Sequence, residues 1–312
     1  MLTQWPDSVD EIFGGDQVVA LAYVTPAHGV VVTPLTNFAI RDQKAGTLTA
    51  VNTSVGTWKK LDRIRRNPQV ALAYHSREHG FSDRPEYVLV QGRASLLEPD
   101  PDYPRSHREH WERFGGSVDF GRLWELWLRV WRCRVAIQVE VERIVVWPDH
   151  TCRGAPEVLG AALPAEPPTP QPAPALGTGP RVDHARAARR AGSLPNVLLG
   201  WVGTDGFPVV IPVQVAATEE DGIVLAAPED LVPPGDRRAG LTAHEFARFT
   251  HGQQLRKHTG WLEADSAGNR SVYAPHTETG YRFPESERLF KLLAGGGTWW
   301  GLRGARRAGI AP

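Results

Sequence analysis

The chain has 312 residues, more than one domain usually holds, so two separate cores are expected. Hydrophobic residues at 41% and charged residues at 22% exclude wholesale disorder, and no apolar run reaches the roughly 20 residues of a spanning helix, so no membrane partner is expected. Thirty-five basic and 35 acidic residues cancel, which removes the broad positive field that gathers nucleic acid, so any anion site must be local.

Near the N-terminus Asp7, Asp10 and Glu11 stand where a secretory leader would be basic and then apolar, which makes a cytoplasmic location the expectation. Ser8 to Glu11 reads as a capping box and Gly14 as a stop, predicting a short entry helix. Alternating apolar runs then predict strands over 17–25, 30–40 and 47–53, joined by glycine-ended turns. A basic helix to Arg66 follows, then strands at 69–76, 87–98 and 135–147. Six strands with few helices predict a barrel. Within this segment, Phe120, Leu123, Trp124, Trp127 and Trp131 share one face of a helix predicted over 119–132, which is read as a cover for the barrel. His107 and His110 lie beside Glu109 and Glu112, but no further ligand completes a metal set, so no metal is expected. Cys133 and Cys152 fit neither a CxxC redox pair nor a zinc pattern.

From 159 to 180 prolines are too frequent for helix or central strand, so the segment reads as an extended linker between a domain at 1–158 and a second at 181–312. The second domain repeats the plan of the first. An Ala/Arg helix follows Asp183, strands follow at 196–202, 207–215 and 223–227, and Val210 to Pro212 echoes Val32 to Pro34. Gly206 and Gly222 end turns as Gly29 and Gly46 do, and the GWL at 260–262 occupies the place of the GRA at 92–94. A tandem duplication is therefore expected. Gly295 to Gly297 match neither a Walker loop nor a dinucleotide loop and read as part of a mobile tail.

Chemistry is most concentrated from Leu48 to Tyr74. A strand runs into Thr53, Ser54, Gly56 and Thr57, a helix starts near Trp58, and Lys59 and Lys60 sit in its first turn. Free N–H groups, the positive helix end, three hydroxyls and two lysines suit an anion, although the same spacing also suits plain capping of a solvated helix.

Pro34 and Phe38, the T-S-x-G-T run, Lys60, the R-R-N-P-x-V-A-L end of the helix, and Val88, Val90, Gly92 and Ala94 together resemble the pyridoxamine 5'-phosphate oxidase-like split-barrel superfamily over residues 17–97. That resemblance implies a mainly β (α+β) fold of two tandem split β-barrels packed as an intrachain pseudo-dimer, with further self-association possible. It also implies a phosphate site at Thr53, Ser54, Thr57 and Lys60, with Lys59 the weaker match. The cofactor implied is FMN, with deazaflavin F420 the alternative and haem the less favoured one. The activity implied is an oxidoreductase acting on a small molecule, the alternative being a non-catalytic haem- or flavin-binding protein of the same fold. The family's Arg-Leu-His style signature is absent from the C-terminal sequence, so vitamin B6 oxidation is not implied. In the second repeat, counting from the paired glycines puts Arg237 and Arg238 near the place of Lys60, after Gly235, and they are the candidate phosphate ligands there. Trp299, Trp300 and Arg303 are candidates to cover a flavin ring.

Overall fold

The computed structural model describes residues 4–247, 252–265 and 270–311. The first sheet is built from β1 (Val18–Val24), β2 (Val30–Thr36), β3 (Arg41–Asp42), β4 (Thr47–Ser54), β5 (Gln69–Ser76), β6 (Tyr87–Leu96), β7 (Arg134–Trp147) and β8 (Glu157–Gly160). The second is built from β9 (Asn196–Val202), β10 (Pro208–Pro212), β11 (Gln214–Glu219), β12 (Gly222–Ala226), β13 (Arg237–Glu245), β14 (Gln254–Ala264) and β15 (Ser271–Arg282). Both are antiparallel throughout. The orders are β2-β1-β5-β6-β7-β4-β3, with β8 on β7, and β10-β9-β13-β14-β15-β12-β11. These are the same order, strand for strand, so the chain is two tandem split barrels, and the six strands expected of each gain only short edge strands.

Register makes the duplication residue-specific. Val70 pairs with Gly92 and Ala239 with Gly260, while Leu72 pairs with Leu21 and Leu241 with Leu199. Superposing those pairs places His75 of β5 on His244 of β13. Their Nε2 atoms lie 2.7 Å apart, so the two buried imidazoles meet on the pseudo-two-fold axis between the barrels. The tautomers follow from the bonding. His75 Nδ1 is 3.0 Å from the Ala73 carbonyl and must donate to it, leaving Nε2 as the acceptor. His244 then donates from Nε2, and its Nδ1 has no partner among the described residues. Around this axis the barrels exchange hydrogen bonds from Tyr87 Oη to the Val210 carbonyl (2.7 Å), from Gln91 Nε2 to the Pro208 carbonyl (2.8 Å) and from Thr242 Oγ1 to the Val32 carbonyl (2.8 Å).

Helices lie outside the sheets: α1 (Asp7–Gly15), α2 (Trp58–Arg66), α3 (Tyr103–Ser106), α4 (Arg108–Gly115), α5 (Arg122–Trp127), α6 (Arg129–Arg132), α7 (His184–Gly192) and α8 (Glu287–Arg307). Two expectations are corrected. The helix over 119–132 is broken at Leu128 into α5 and α6, and of its proposed face Trp131 is buried while Leu123 is 86% exposed. Gly295 to Gly297 lie inside a 21-residue helix, α8, not in a mobile tail. Each interior glycine weakens a helix by about 1 kcal/mol, and here the bare Cα atoms are used for contact. A Cβ on Gly301 would lie 1.8 Å from the Gly56 carbonyl oxygen, and one on Gly304 would lie 2.3 Å from Trp58 Nε1. Thus α8, which follows the second barrel in the chain, lies directly on the 54–57 loop of the first.

The linker is docked rather than free. Arg143 donates to the Ala162 carbonyl, Thr204 Oγ1 to the Glu166 carbonyl, and Gln171 Nε2 to the His28 carbonyl, so it touches both barrels.

Two measurements test this packing. Burial lowers the pKa of His75 to about 4 and that of His244 well below the ordinary value of 6.5. With folded values depressed, the stabilisation is complete above pH 6.5 and is lost as pH falls toward 4, at no more than about 1.4 kcal/mol per pH unit for each imidazole. Urea unfolding between pH 7 and 4 should show this slope, and His75→Gln should flatten it. Gly301→Val should push α8 off the loop and cost about 1–3 kcal/mol by overpacking. An unchanged melting temperature would show that α8 does not pack there.

Candidate functional site

A cavity of about 330 Å³ opens between the barrels beside the 53–57 loop. The first barrel supplies Pro34, Phe38, Asn52, Thr53, Ser54, Thr57 and, at the start of β7, Arg134. The second supplies Phe246, Gln253, Tyr281 and Phe283, and α8 closes it with Phe290, Leu293 and Thr298. Among the described residues Arg134 is the one charged residue in this lining, and the described walls are mainly aromatic and neutral.

The structure brings the predicted hydroxyls together but commits their protons. Ser54 Oγ donates to the Val130 carbonyl (2.7 Å) and accepts from Gly56 N, which is a cap on the short 3-10 turn at 55–57. Thr57 Oγ1 donates to the Ser54 carbonyl (2.9 Å). Thr53 Oγ1 lies 2.5 Å from Thr57 Oγ1 and must therefore be the donor of that pair. Lys60 Nζ, 3.5 Å away, donates in turn to Thr53. The order is lysine to Thr53 to Thr57 to backbone, so the free charge of this loop resides on Lys60. Lys59, by contrast, is exposed.

Lys60 is buried among other cations. Burial first, then repulsion from Lys257 and Arg134, lowers its pKa to about 7. Lys257 comes from β14 of the second barrel, lies 3.5 Å from Thr33 Oγ1 and has its own pKa lowered by burial and by Arg63. Among the described residues, none of Lys60, Lys257 and Arg134 forms an ion pair with a carboxylate. Sequence reasoning missed Lys257 and Arg134. Their only signal was a basic residue inside an otherwise strand-like run, which more often faces solvent.

The second repeat departs from expectation. Arg237 and Arg238 open strand β13 instead of a helix, and the register places Arg238 where the first repeat has Gln69, not Lys60. No helix forms between β12 and β13, where Pro228, Pro233 and Pro234 prevent one. Arg237 is fully buried and donates to the carbonyls of Pro168, Pro233, Pro234 and Gly235. Arg238 lies over the Trp261 ring and holds Gln171. Gly235, at φ 86°, makes its close approach to Pro170 of the linker. These residues tie down the linker.

The pseudo-equivalent of the first cavity exists, at about 730 Å³, with Pro212, Val213 and Gln214 in the places of Pro34, Leu35 and Thr36. Counting on from the matched pairs Leu48 with Val139 and Ile223 with Tyr273, and allowing for the extra residue β4 carries between Leu48 and Val51, Thr53 and Ser54 are replaced there by Ala227 and Pro228, with Glu229 next. A carboxylate and a proline are the reverse of an anion loop.

Trp299 and Trp300 do not line the first cavity. Trp299 Nε1 donates to the Trp127 carbonyl (2.8 Å), and Trp300 is 88% exposed. His107 is stacked on Tyr103 at 4.0 Å between ring centres.

No family model matches the chain, and no curated protein does. Solved structures align with about half of it each. A conserved hypothetical protein of Mycobacterium tuberculosis aligns at 20% identity over 51% of this chain and 93% of its own (TM-score 0.33). A putative pyridoxamine 5'-phosphate oxidase of Listeria innocua aligns at 20% over 45% and 95% (TM-score 0.30). An FAD-binding protein of Mesorhizobium loti aligns at 21% over 46% and 94% (TM-score 0.29).

The role given to Arg237 is open to test. Arg237→Ala should leave buried carbonyls unpaired and lower stability by about 2–4 kcal/mol in urea unfolding. An unchanged unfolding midpoint would remove this structural role from the arginine.

Proposed function

We propose that this chain is a flavin-dependent oxidoreductase holding one cofactor, FMN or alternatively F420, between its barrels and acting on a small molecule. The observation that carries this reading is an aromatic-walled cavity with cations from both repeats behind its wall, buried Lys60 on the lining residue Thr53 and half-buried Lys257 near it, that no carboxylate among the described residues neutralises. Those residues fit the group: lysines suit a phosphate, and the rings of Phe38, Phe246 and Phe283 suit a planar heterocycle. The flavin supplies hydride and electron transfer when bound. The chain's part is to bind, orient and exclude water, which α8 does by covering the loop and one wall of the cavity. The commitment of all three hydroxyl protons to protein acceptors favours a second reading, a ligand-binding barrel without catalysis.

Titration of the purified protein with FMN and with F420, followed in the visible spectrum, tests binding, and turnover of an electron acceptor separates the two readings. One equivalent should bind. Lys60→Ala and Lys257→Ala should each weaken binding at least about tenfold, since charge-assisted hydrogen bonds contribute about 1.5–3 kcal/mol. The anion requires protonated Lys60, so affinity should fall as pH rises above about 7. Two equivalent sites, or wild-type affinity in both variants, would sink the assignment.

A further inference from the structure

Arg134 stands out within the cavity because the rest of the lining, among the described residues, is neutral. Its guanidinium lies 4.4 Å from the centre of the Trp131 ring and 5.0 Å from that of Trp111, so both aromatic neighbours are drawn to the cation. Nη1 donates to Asn52 Oδ1 (2.9 Å). Nε is buried with no acceptor, and Nη2 likewise bonds to no protein acceptor among the described residues. Trp111 Nε1 is a second buried donor without an acceptor. An uncompensated buried guanidinium is costly, and burial already lowers its pKa to about 9.

What remains on Arg134 is Nη2, a donor for a carboxylate oxygen, while Nε beside it is closed off from solvent. A tetrahedral dianion needs more donors than this one group offers, and the nearby hydroxyls of Ser54 and Thr57 have given their protons to carbonyls. The walls nearest it are Trp111 and Trp131, with Phe290 against Trp131, surfaces for a flat apolar body. We infer that this chamber binds an aromatic monocarboxylate, its carboxylate on Arg134 and its ring among the aromatic walls, as the substrate class of the proposed oxidoreductase. The substrate role rests on that reading, whereas the binding itself does not.

The test uses the full-length protein and calorimetry at pH 7 with 2-naphthoate and its neutral analogue 2-naphthalenemethanol. Wild type should bind the acid at least tenfold more tightly than the alcohol. Arg134→Met should erase that preference while leaving alcohol binding intact, and Arg134→Lys should restore part of it. Equal affinity for acid and alcohol in wild type, or no saturable acid binding, would overturn the proposal without recourse to any variant, so a misfolded Arg134→Met leaves it falsifiable. Repeating the titration with FMN present separates the two readings. Naphthoate binding beside bound FMN supports the substrate role, while one-for-one displacement by FMN or by inorganic phosphate would give Arg134 to the cofactor and overturn it. Failure of FMN to bind, with the acid preference intact, would remove the cofactor reading and leave the carboxylate site standing.

Discussion

The close approach of the two sheets at the pseudo-two-fold axis is the constraint on which the site depends. On the first sheet that approach uses Ala20, Ala22, Ala71 and Ala73, all fully buried. On the second the register puts Gly200 in the place of Ala22 and Gly240 in the place of Ala71. A Cβ on Gly240 would come within 2.3 Å of the Val30 carbonyl oxygen, and one on Gly200 within 2.8 Å of the Val32 side chain. Small residues there let β2 lie against β9 and β13, and that contact carries β14 and β15 to the mouth of the first barrel. Tyr281 and Phe283 reach the cavity, and Lys257 comes near Lys60, only because the sheets meet this closely. Larger residues at the axis would separate the halves of the site without touching any residue that lines it.

Duplication within one chain frees the two copies from having to match. In a symmetric pair every change would appear in both sites. Here the first repeat keeps α2 and its lysine, whereas the second has a proline-containing loop and puts Pro228, followed by Glu229, where Ser54 would be. The single α8 reinforces the difference, since one helix can cover one loop, and its glycines fit Gly56 and Trp58 of the first repeat. The linker does the same for the other end by filling the space over Arg237.

The strands were legible because their signal is local. Alternating apolar residues, Val-x-Pro in β2 and β10, and the glycines of β6 and β14 all fall at equivalent register positions. The helices were less so. Three consecutive glycines read as part of a mobile tail, whereas α8 packs Gly295 on Trp127 and, further along, Gly301 on Gly56 and Gly304 on Trp58, a tertiary gain that propensity cannot show. Counting from glycines misplaced Arg237 and Arg238 because the loop before β13 differs in length and carries no helix. Thr53, Ser54, Thr57 and Lys60 were correctly grouped as neighbours, but the direction of each hydroxyl bond depends on Val130 and on the loop's own turn. Arg134 and Lys257 could not be grouped with them, since their proximity is made by β7 and by the second barrel.

The electrostatics of this cluster follow from the same geometry. Three cations near one another, without a carboxylate, would cost several kcal/mol if all stayed charged in a dry interface. Asp or Glu would relieve that cost but would also compete with any anionic ligand. The protein relieves it differently, because Lys60, donor to the Thr53 hydroxyl, can release its proton near neutral pH while remaining hydrogen-bonded. A ligand anion entering beside it would restore that proton, so the positive charge that holds the ligand appears as the ligand arrives. Burial first, and then repulsion from Lys257 and Arg134, keeps Lys60 poised at this point, and those two cations come from two different barrels and two different strands. Ligand affinity, protonation and the docking of the repeats are therefore a single linked equilibrium, in which loosening the pseudo-two-fold contact would raise the pKa of Lys60 and weaken the site together.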